Sequence, residues 1–295
     1  MTRTKFKEKE FPFRIDAKLK HKLDLLTKQL SKRDVWILLT GDEGSGKTNA
    51  AAYLLYYFHC KTGREFSIKN FYFDAEDLFN KGRQTKCQLL NWDEAALGGL
   101  STEWYNRSQT NLIKLAITGR KLHHVFVLCI PRFDKLKQDL RLDRIHAQIH
   151  IDTGKQNNRL GHYIYLTRRG IKILNRIWSK RKIRAYQWSM RKGGGFAGNI
   201  PFVFNKVFTQ EEQDFYENAK DNAIANIGKK RVDTSKQEVW ALKYKIATVE
   251  YPIINQTDHA KKLGYAQNTF SDWKKLREKA EIDPPLANRV ETAED

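Results

Sequence analysis

Cysteine is scarce: Cys60, Cys87 and Cys129 are the three in a chain of 295 residues. They form no C-x-x-C pair and no zinc-ligand spacing, which excludes a disulfide framework and a thiolate metal site and leaves reduced core thiols. Long apolar runs are missing as well. Val35 to Leu39, Tyr53 to Phe58 and Val125 to Pro131 are the longest, far short of the ~20 residues that cross a bilayer. The opening segment, MTRTKFKEKEFPFRID, has no apolar stretch of the secretory kind, so a cytoplasmic location is expected. A hydrophobic content of 40% nonetheless excludes a disordered chain.

Negative charge is the other shortage. Asp and Glu number 34 against 54 Lys and Arg, a formal net charge of +20. The imbalance peaks between residues 151 and 200, where Asp152 is the lone acid among twelve Lys and Arg, with Tyr163, Tyr165, Trp178, Tyr186 and Trp188 interleaved. Concentrated positive charge is unfavourable without an anion beside it and suits nucleic acid or an anionic membrane surface. Arg168, Arg169, Lys180, Arg181 and Lys182 are the candidate contacts to DNA phosphates. The same shortage of acids argues against a two-metal nuclease, which needs several converging carboxylates.

What is present begins with WILLTGDEGSGKTNA, Trp36 to Ala50. Gly41 to Thr48 reads G-x-x-x-x-G-K-T, a phosphate-binding loop, between an apolar strand (Val35 to Thr40) and a segment fit for a helix (Asn49 to Cys60). The glycines let backbone N–H groups close around phosphates at the positive end of that helix. Gly41, Asp42, Glu43, Gly44, Ser45, Gly46, Lys47, Thr48 and Asn49 are the candidate ATP-binding residues. Lys47 is expected on the β- and γ-phosphates and Thr48 on Mg²⁺. In QLLNWDEA, Gln88 to Ala95, a strand ends in Asp93-Glu94. Asp93 is expected to hold the Mg²⁺ with Thr48, and Glu94 to act as general base on the attacking water. Arg107, Arg120, Arg132, Arg141 and Arg144 follow as candidates for a cation on the developing charge. Arg120, closing a helix before the next strand, is expected near the nucleotide edge.

Further patterns organise the rest. Leu19, Leu23, Leu25, Leu26 and Leu30 give residues 1–32, a basic helical extension, an apolar stripe. Phe133 to Arg144 is expected to be helical. Ala147 to Ile151 and His162 to Leu166 read as a hairpin, and Gly193 to Gly198 as a hinge or loop. The histidines show no metal-ligand spacing. Residues 206–234 read as a helical linker and 284–295 as a disordered tail. Between them, in 235–283, Ala260, Leu263, Gly264, Phe270 and Trp273 have the spacing of a helix-turn-helix. That would turn Gln267, Asn268, Thr269, Ser271 and Lys274 toward DNA. The expected fold is therefore α/β: a P-loop NTPase domain over residues 33–205 with a mostly parallel sheet, RecA/FtsK-like, plus a small all-α C-terminal module.

The stretch from Leu89 to Ile151 resembles the HerA/FtsK group of P-loop ATPases, in particular its Zot-like branch of phages, plasmids and archaea. The likeness lies in Asp93-Glu94 at a strand end, Arg107 in a polar segment, and Arg120 before the strand Val125 to Ile130. Pro131, Asp134, Arg141 and Arg144 continue it. It spans roughly residues 33–170. The resemblance implies a hexameric ring that pumps DNA through a central channel, with Arg107 or Arg120 as a trans-acting finger or sensor; double-stranded DNA is the expected partner. It also implies a virus or plasmid setting, with a capsid or similar protein as partner. The chain departs from the group at Cys129-Ile130-Pro131, where a polar sensor is common. Two further readings stay open: an AAA+-like replication initiator or loader that uses ATP as an assembly switch, and a non-hydrolysing DNA-binding regulator.

Overall fold

A computed structural model describes residues 8–93, 110, 113–116, 119–153 and 161–225. The chain divides into two units, residues 1–228 and 229–295, and the described residues all belong to the first. The helix-turn-helix and its five candidate DNA contacts lie outside the described residues.

A seven-stranded sheet carries the fold, with β1 (Val35–Thr40), β2 (Phe71–Tyr72), β3 (Leu89–Asp93), β4 (Val125–Ile130), β5 (Ala147–Ile151), β6 (His162–Thr167) and β7 (Phe196–Asn199). Its order is β2-β3-β4-β1-β5-β6-β7. Pairing is parallel from β2 through β5 and antiparallel from β5 through β7. VWILLT and VFVLCI are buried at every position, as strands covered on both faces must be. Successive side chains serve opposite layers. Val35, Ile37 and Leu39 join a core with α1 (Ala17–Gln29) and α2 (Lys47–Thr62). Trp36 and Leu38 join a second core with α3 (Ala75–Gln84), α4 (Arg168–Arg181) and α5 (Tyr186–Gly193). This three-layer arrangement, with a phosphate loop after β1, is the P-loop NTPase fold.

Helix α2 sits deepest. It is apolar around most of its circumference and buried accordingly, from Ala50 to Phe58 with the one half-buried exception of Tyr56. Helix α1 starts where the Asp16 carboxylate accepts the amides of Lys18 and Leu19. Leu19, Leu23, Leu26 and Leu30 enter the same core as β1 and α2, while Leu25 stays exposed.

Two expectations need correcting. Residues 133–144 are not one helix: a 3-10 turn covers Phe133–Lys135 and a π turn Leu140–Arg144. The break falls at Leu136, whose backbone is extended (φ −74°, ψ 134°) and whose side chain is buried. Arg141 is buried too, donating to the Phe133 carbonyl at 2.9 Å and to Asn175 Oδ1 at 2.5 Å, which ties the second turn back to the first. The glycine run after α5 is no hinge, because Phe196–Asn199 forms edge strand β7 against β6. Its glycines permit the approach: a Cβ on Gly195 would stand 2.1 Å from the Tyr165 carbonyl oxygen. The hairpin formed as expected, as β5 and β6.

Candidate functional site

Parallel strands deliver their C-terminal ends to one edge, where ligands of such sheets collect. Thr40 lies level with Ile130 and His150, and Asp93 with Cys129. The loop of residues 41–46 crosses this edge from β1 to α2. Gly44 (φ 71°) and Gly46 (φ 91°) take left-handed conformations with open space where a Cβ would be. Gly41 is closely packed instead, since a Cβ there would meet Ser45 Oγ at 2.7 Å and the Ile151 carbonyl at 2.9 Å. Asp42, Glu43 and Gly44 are exposed at the tip.

Lys47 is buried, 4% exposed, and its ammonium donates to the carbonyls of Gly41 (2.9 Å) and Asp42 (2.7 Å). Thr48 Oγ1 donates to Asp93 Oδ2 at 2.6 Å, a contact across 45 residues of sequence. The residues expected to share a magnesium ion therefore touch. Three features fit a magnesium-bound triphosphate: a loop open at two glycines, a hydroxyl–carboxylate pair, and Ser45 Oγ buried without a hydrogen-bond partner. Asn49 is used differently from expectation. Its amide donates to the Pro201 carbonyl (3.0 Å) and its Oδ1 accepts the amides of Val203 (2.7 Å) and Phe204 (3.0 Å). The side chain thus clamps the segment after β7, leaving its backbone for the loop.

That segment leads through a helical turn, Phe204–Val207, into α6 (Gln210–Ala225), and α6 brings Tyr216 into the site. The Tyr216 hydroxyl donates to Asp93 Oδ2 at 2.9 Å and lies 3.3 Å from Thr48 Oγ1. Burial, followed by the Asp93 carboxylate, pushes its phenol far above the ordinary range, so it stays a donor. Tyr216 was missed because it stands in an acidic segment with no motif, read as linker. On the other side of β1, Thr40 Oγ1 pairs with His150 Nδ1 at 3.2 Å and accepts from Gln148 Nε2 at 3.2 Å. His150 stacks on Tyr186 of α5 with ring centroids 3.7 Å apart. The alternation of His146 and His150 was visible in the sequence; its partner across the sheet was not.

Glu94 and Arg107 lie outside the described residues. Arg120 needs a correction. Its backbone belongs to a 3-10 turn, Gly119–Leu122, whose Leu122 carbonyl accepts the Cys87 amide. This turn precedes β4, and β4 runs parallel to β1 with Val35 level with Val125. Arg120 therefore sits at the sheet edge opposite its own chain's phosphate loop. Arg132 pairs with Asp134 at 2.8 Å, and Arg141 is tied into the core.

The basic segment forms a helical hairpin, α4 and α5. The two helices cross at a glycine pair, where a Cβ on Gly193 would lie 2.4 Å from Gly170 Cα. Arg168, Arg169, Lys180 and Arg181 are exposed on α4, and Lys182 ends it in a left-handed conformation (φ 57°). Trp188 and Ile183 are half exposed, at 51% and 55%. Arg168 bonds the Asp143 carbonyl, near the sheet edge away from the loop. The far end of α4 returns to the nucleotide edge: Trp178 lies under Arg132, and Tyr186 stacks on His150.

Among the described residues no group of three or more His, Cys, Asp or Glu could hold a metal ion, and no helix is long and apolar enough to cross a membrane. No family model matches the chain, and no curated protein matches it. Among solved structures it is similar to a point mutant of RuvB from Thermotoga maritima, with 15% identity and TM-score 0.32 over 91% of this chain and 89% of that one. It is also similar to the replication initiator DnaA bound to AMPPCP and single-stranded DNA, at 13% identity and TM-score 0.31 over 92% and 91% of the two chains. AMPPCP-bound DnaA from Aquifex aeolicus gives 12% identity and TM-score 0.30 over 92% and 90%. The strand order β2-β3-β4-β1-β5-β6-β7 and the glycine loop after β1 define the fold.

Proposed function

We propose that the chain is an ATPase that drives DNA, a translocating motor of the HerA/FtsK kind. The observation that carries this reading is the 2.6 Å contact of Thr48 with Asp93 at the mouth of an open glycine loop. Magnesium, when bound, would draw charge from the phosphates and hold them toward Thr48 and Asp93. The chain's own residues do the rest. The loop amides and Ser45 orient the phosphates, Lys47 stands over them, and Glu94 takes the proton of the attacking water. An arginine of a neighbouring subunit completes the charge in trans. Arg107 and Arg120 are the candidates, and Arg120, whose backbone lies at the far edge of its own sheet, would act on a neighbour's nucleotide. Resemblance to the group adds a ring of subunits, hexameric there, with viral or plasmid DNA as cargo and a capsid or comparable protein as partner. Gln267 to Lys274 would engage DNA from the C-terminal module.

The test is ATP hydrolysis measured with linear duplex DNA of increasing length at fixed nucleotide concentration, with Glu94→Gln as the blank. A motor starts once and runs, so the rate rises with length and then levels off. A rate indifferent to length overturns the motor reading and favours an assembly switch of initiator or loader type. One observation favours that second reading: the Tyr216 hydroxyl rests on Asp93 and Thr48, as a switch element would.

The exposed end of α4 is the proposed DNA contact. Each cation that neutralises a phosphate contributes about 0.9 to the slope of log K against log salt on duplex DNA. Replacing Lys180, Arg181 and Lys182 together by Ala is expected to lower that slope by roughly 3 and weaken all sequences alike. Fluorescence anisotropy of a labelled duplex over a salt series measures it.

A further inference from the structure

Helix α6 follows the segment that Asn49 clamps. Its start is closed by a reciprocal cap: Glu212 Oε2 accepts the Thr209 amide at 2.9 Å, and Thr209 Oγ1 accepts the Glu212 amide at 3.3 Å. Over its 16 residues, Tyr216 alone is buried. The ring of Tyr216 packs against Phe71, Phe73 and Phe204, and its hydroxyl rests on Asp93 and Thr48. Ala219 and Ala223 pack half-buried against the same core, and Tyr216 is the α6 side chain that reaches the site, where it ends on the oxygens assigned to the metal.

We propose that Tyr216 is a latch: it and a magnesium-bound nucleotide compete for Thr48 and Asp93, and nucleotide binding undocks α6. The inference rests on the nucleotide-site reading above and extends it. Magnesium takes a near-ideal octahedral shell at 2.0–2.1 Å and keeps several waters. A phenol oxygen 2.9 Å from Asp93 Oδ2 and 3.3 Å from Thr48 Oγ1 already engages both oxygens that such a shell would use. Because the chain runs on from α6 into residues 226–295, release of α6 would report the nucleotide state to the C-terminal module.

The experiment uses the full chain and the non-hydrolysable nucleotide AMPPCP, with two readouts. Hydrogen exchange of peptides covering 210–225 is followed with magnesium–AMPPCP and with AMPPCP in EDTA. Exchange is expected to rise with the former and stay unchanged with the latter. Affinity is then measured by displacement of a fluorescent nucleotide. Tyr216→Phe keeps the ring and removes the hydroxyl. It is expected to bind magnesium–AMPPCP roughly three- to ten-fold more tightly, about the worth of one hydrogen bond, with metal-free affinity unchanged. Nucleotide binding with no change in α6 exchange, or weaker binding by Tyr216→Phe, overturns the latch and leaves the nucleotide site standing. Absence of any nucleotide binding overturns both.

Discussion

Lys47→Ala is expected to cut ATP hydrolysis by at least 10²–10³-fold, the usual cost of removing one preorganised charge from developing negative charge. The reason is local. Lys47 is 4% exposed and opens α2, so its ammonium is fixed at the loop rather than swinging in solvent. In the described structure it donates to the Gly41 and Asp42 carbonyls. Alanine removes the cation and two backbone partners at once, so nucleotide affinity falls along with turnover. Steady-state hydrolysis and fluorescent-nucleotide binding check this, with circular dichroism verifying the fold. Activity within three-fold of wild type would remove Lys47 from the mechanism.

Mild acid is expected to unfold the domain before most carboxylates titrate. Burial pushes three histidines, His124, His146 and His150, down from the ordinary 6.5 to about 4. Arg64 adds to this at His124, and Arg168 and Arg33 at His146, while Asp152 and Asp42 oppose it at His150. Two of them are fixed as acceptors: His124 Nδ1 takes the Gln88 amide at 3.0 Å, and His146 Nδ1 takes the Trp36 amide at 3.1 Å. Protonation would set a donor against a donor. Between pH 6.5 and 4 the unfolded chain binds these protons and the folded chain does not, so stability is full above pH 6.5 and falls as pH drops. Three such groups give a slope of up to roughly 4 kcal/mol per pH unit, against a typical total of about 5–15 kcal/mol. Urea midpoints are expected to drop steeply between pH 6.5 and 5. His146→Asn, which keeps an acceptor near the Trp36 amide, is expected to reduce the slope by about one proton. A flat profile over this range would contradict the assignment of neutral buried histidines.

Local signals gave the nucleotide loop and its surroundings. Val35–Thr40 and Val125–Ile130 were legible as strands residue for residue, because a strand covered on both faces reads as an unbroken apolar run. The partnership of Asp93 with Thr48 followed from placing an acid at a strand end. Where the reading failed, a distant partner decided. Nothing near residue 141 announces that its guanidinium will be buried against Phe133 and Asn175, or that Leu136 will take extended backbone with its side chain buried and interrupt the expected helix. The glycines from 193 to 198 look flexible in isolation. Against Gly170, Tyr165 and Tyr163 they are spacers that let a helix and an edge strand approach closely.

By itself, the order of residues determined the phosphate loop, the parallel core strands, the helix behind the loop and the positive field after residue 151. These follow from short-range patterning, backbone freedom at glycine and the count of charges. Tertiary structure alone decided that Tyr216 rests on Asp93 and Thr48, that Asn49 clamps the segment of residues 201–204, and that Arg120 stands at the edge away from its own loop. Each joins elements far apart in the chain or depends on strand direction and register, which no local window of sequence contains.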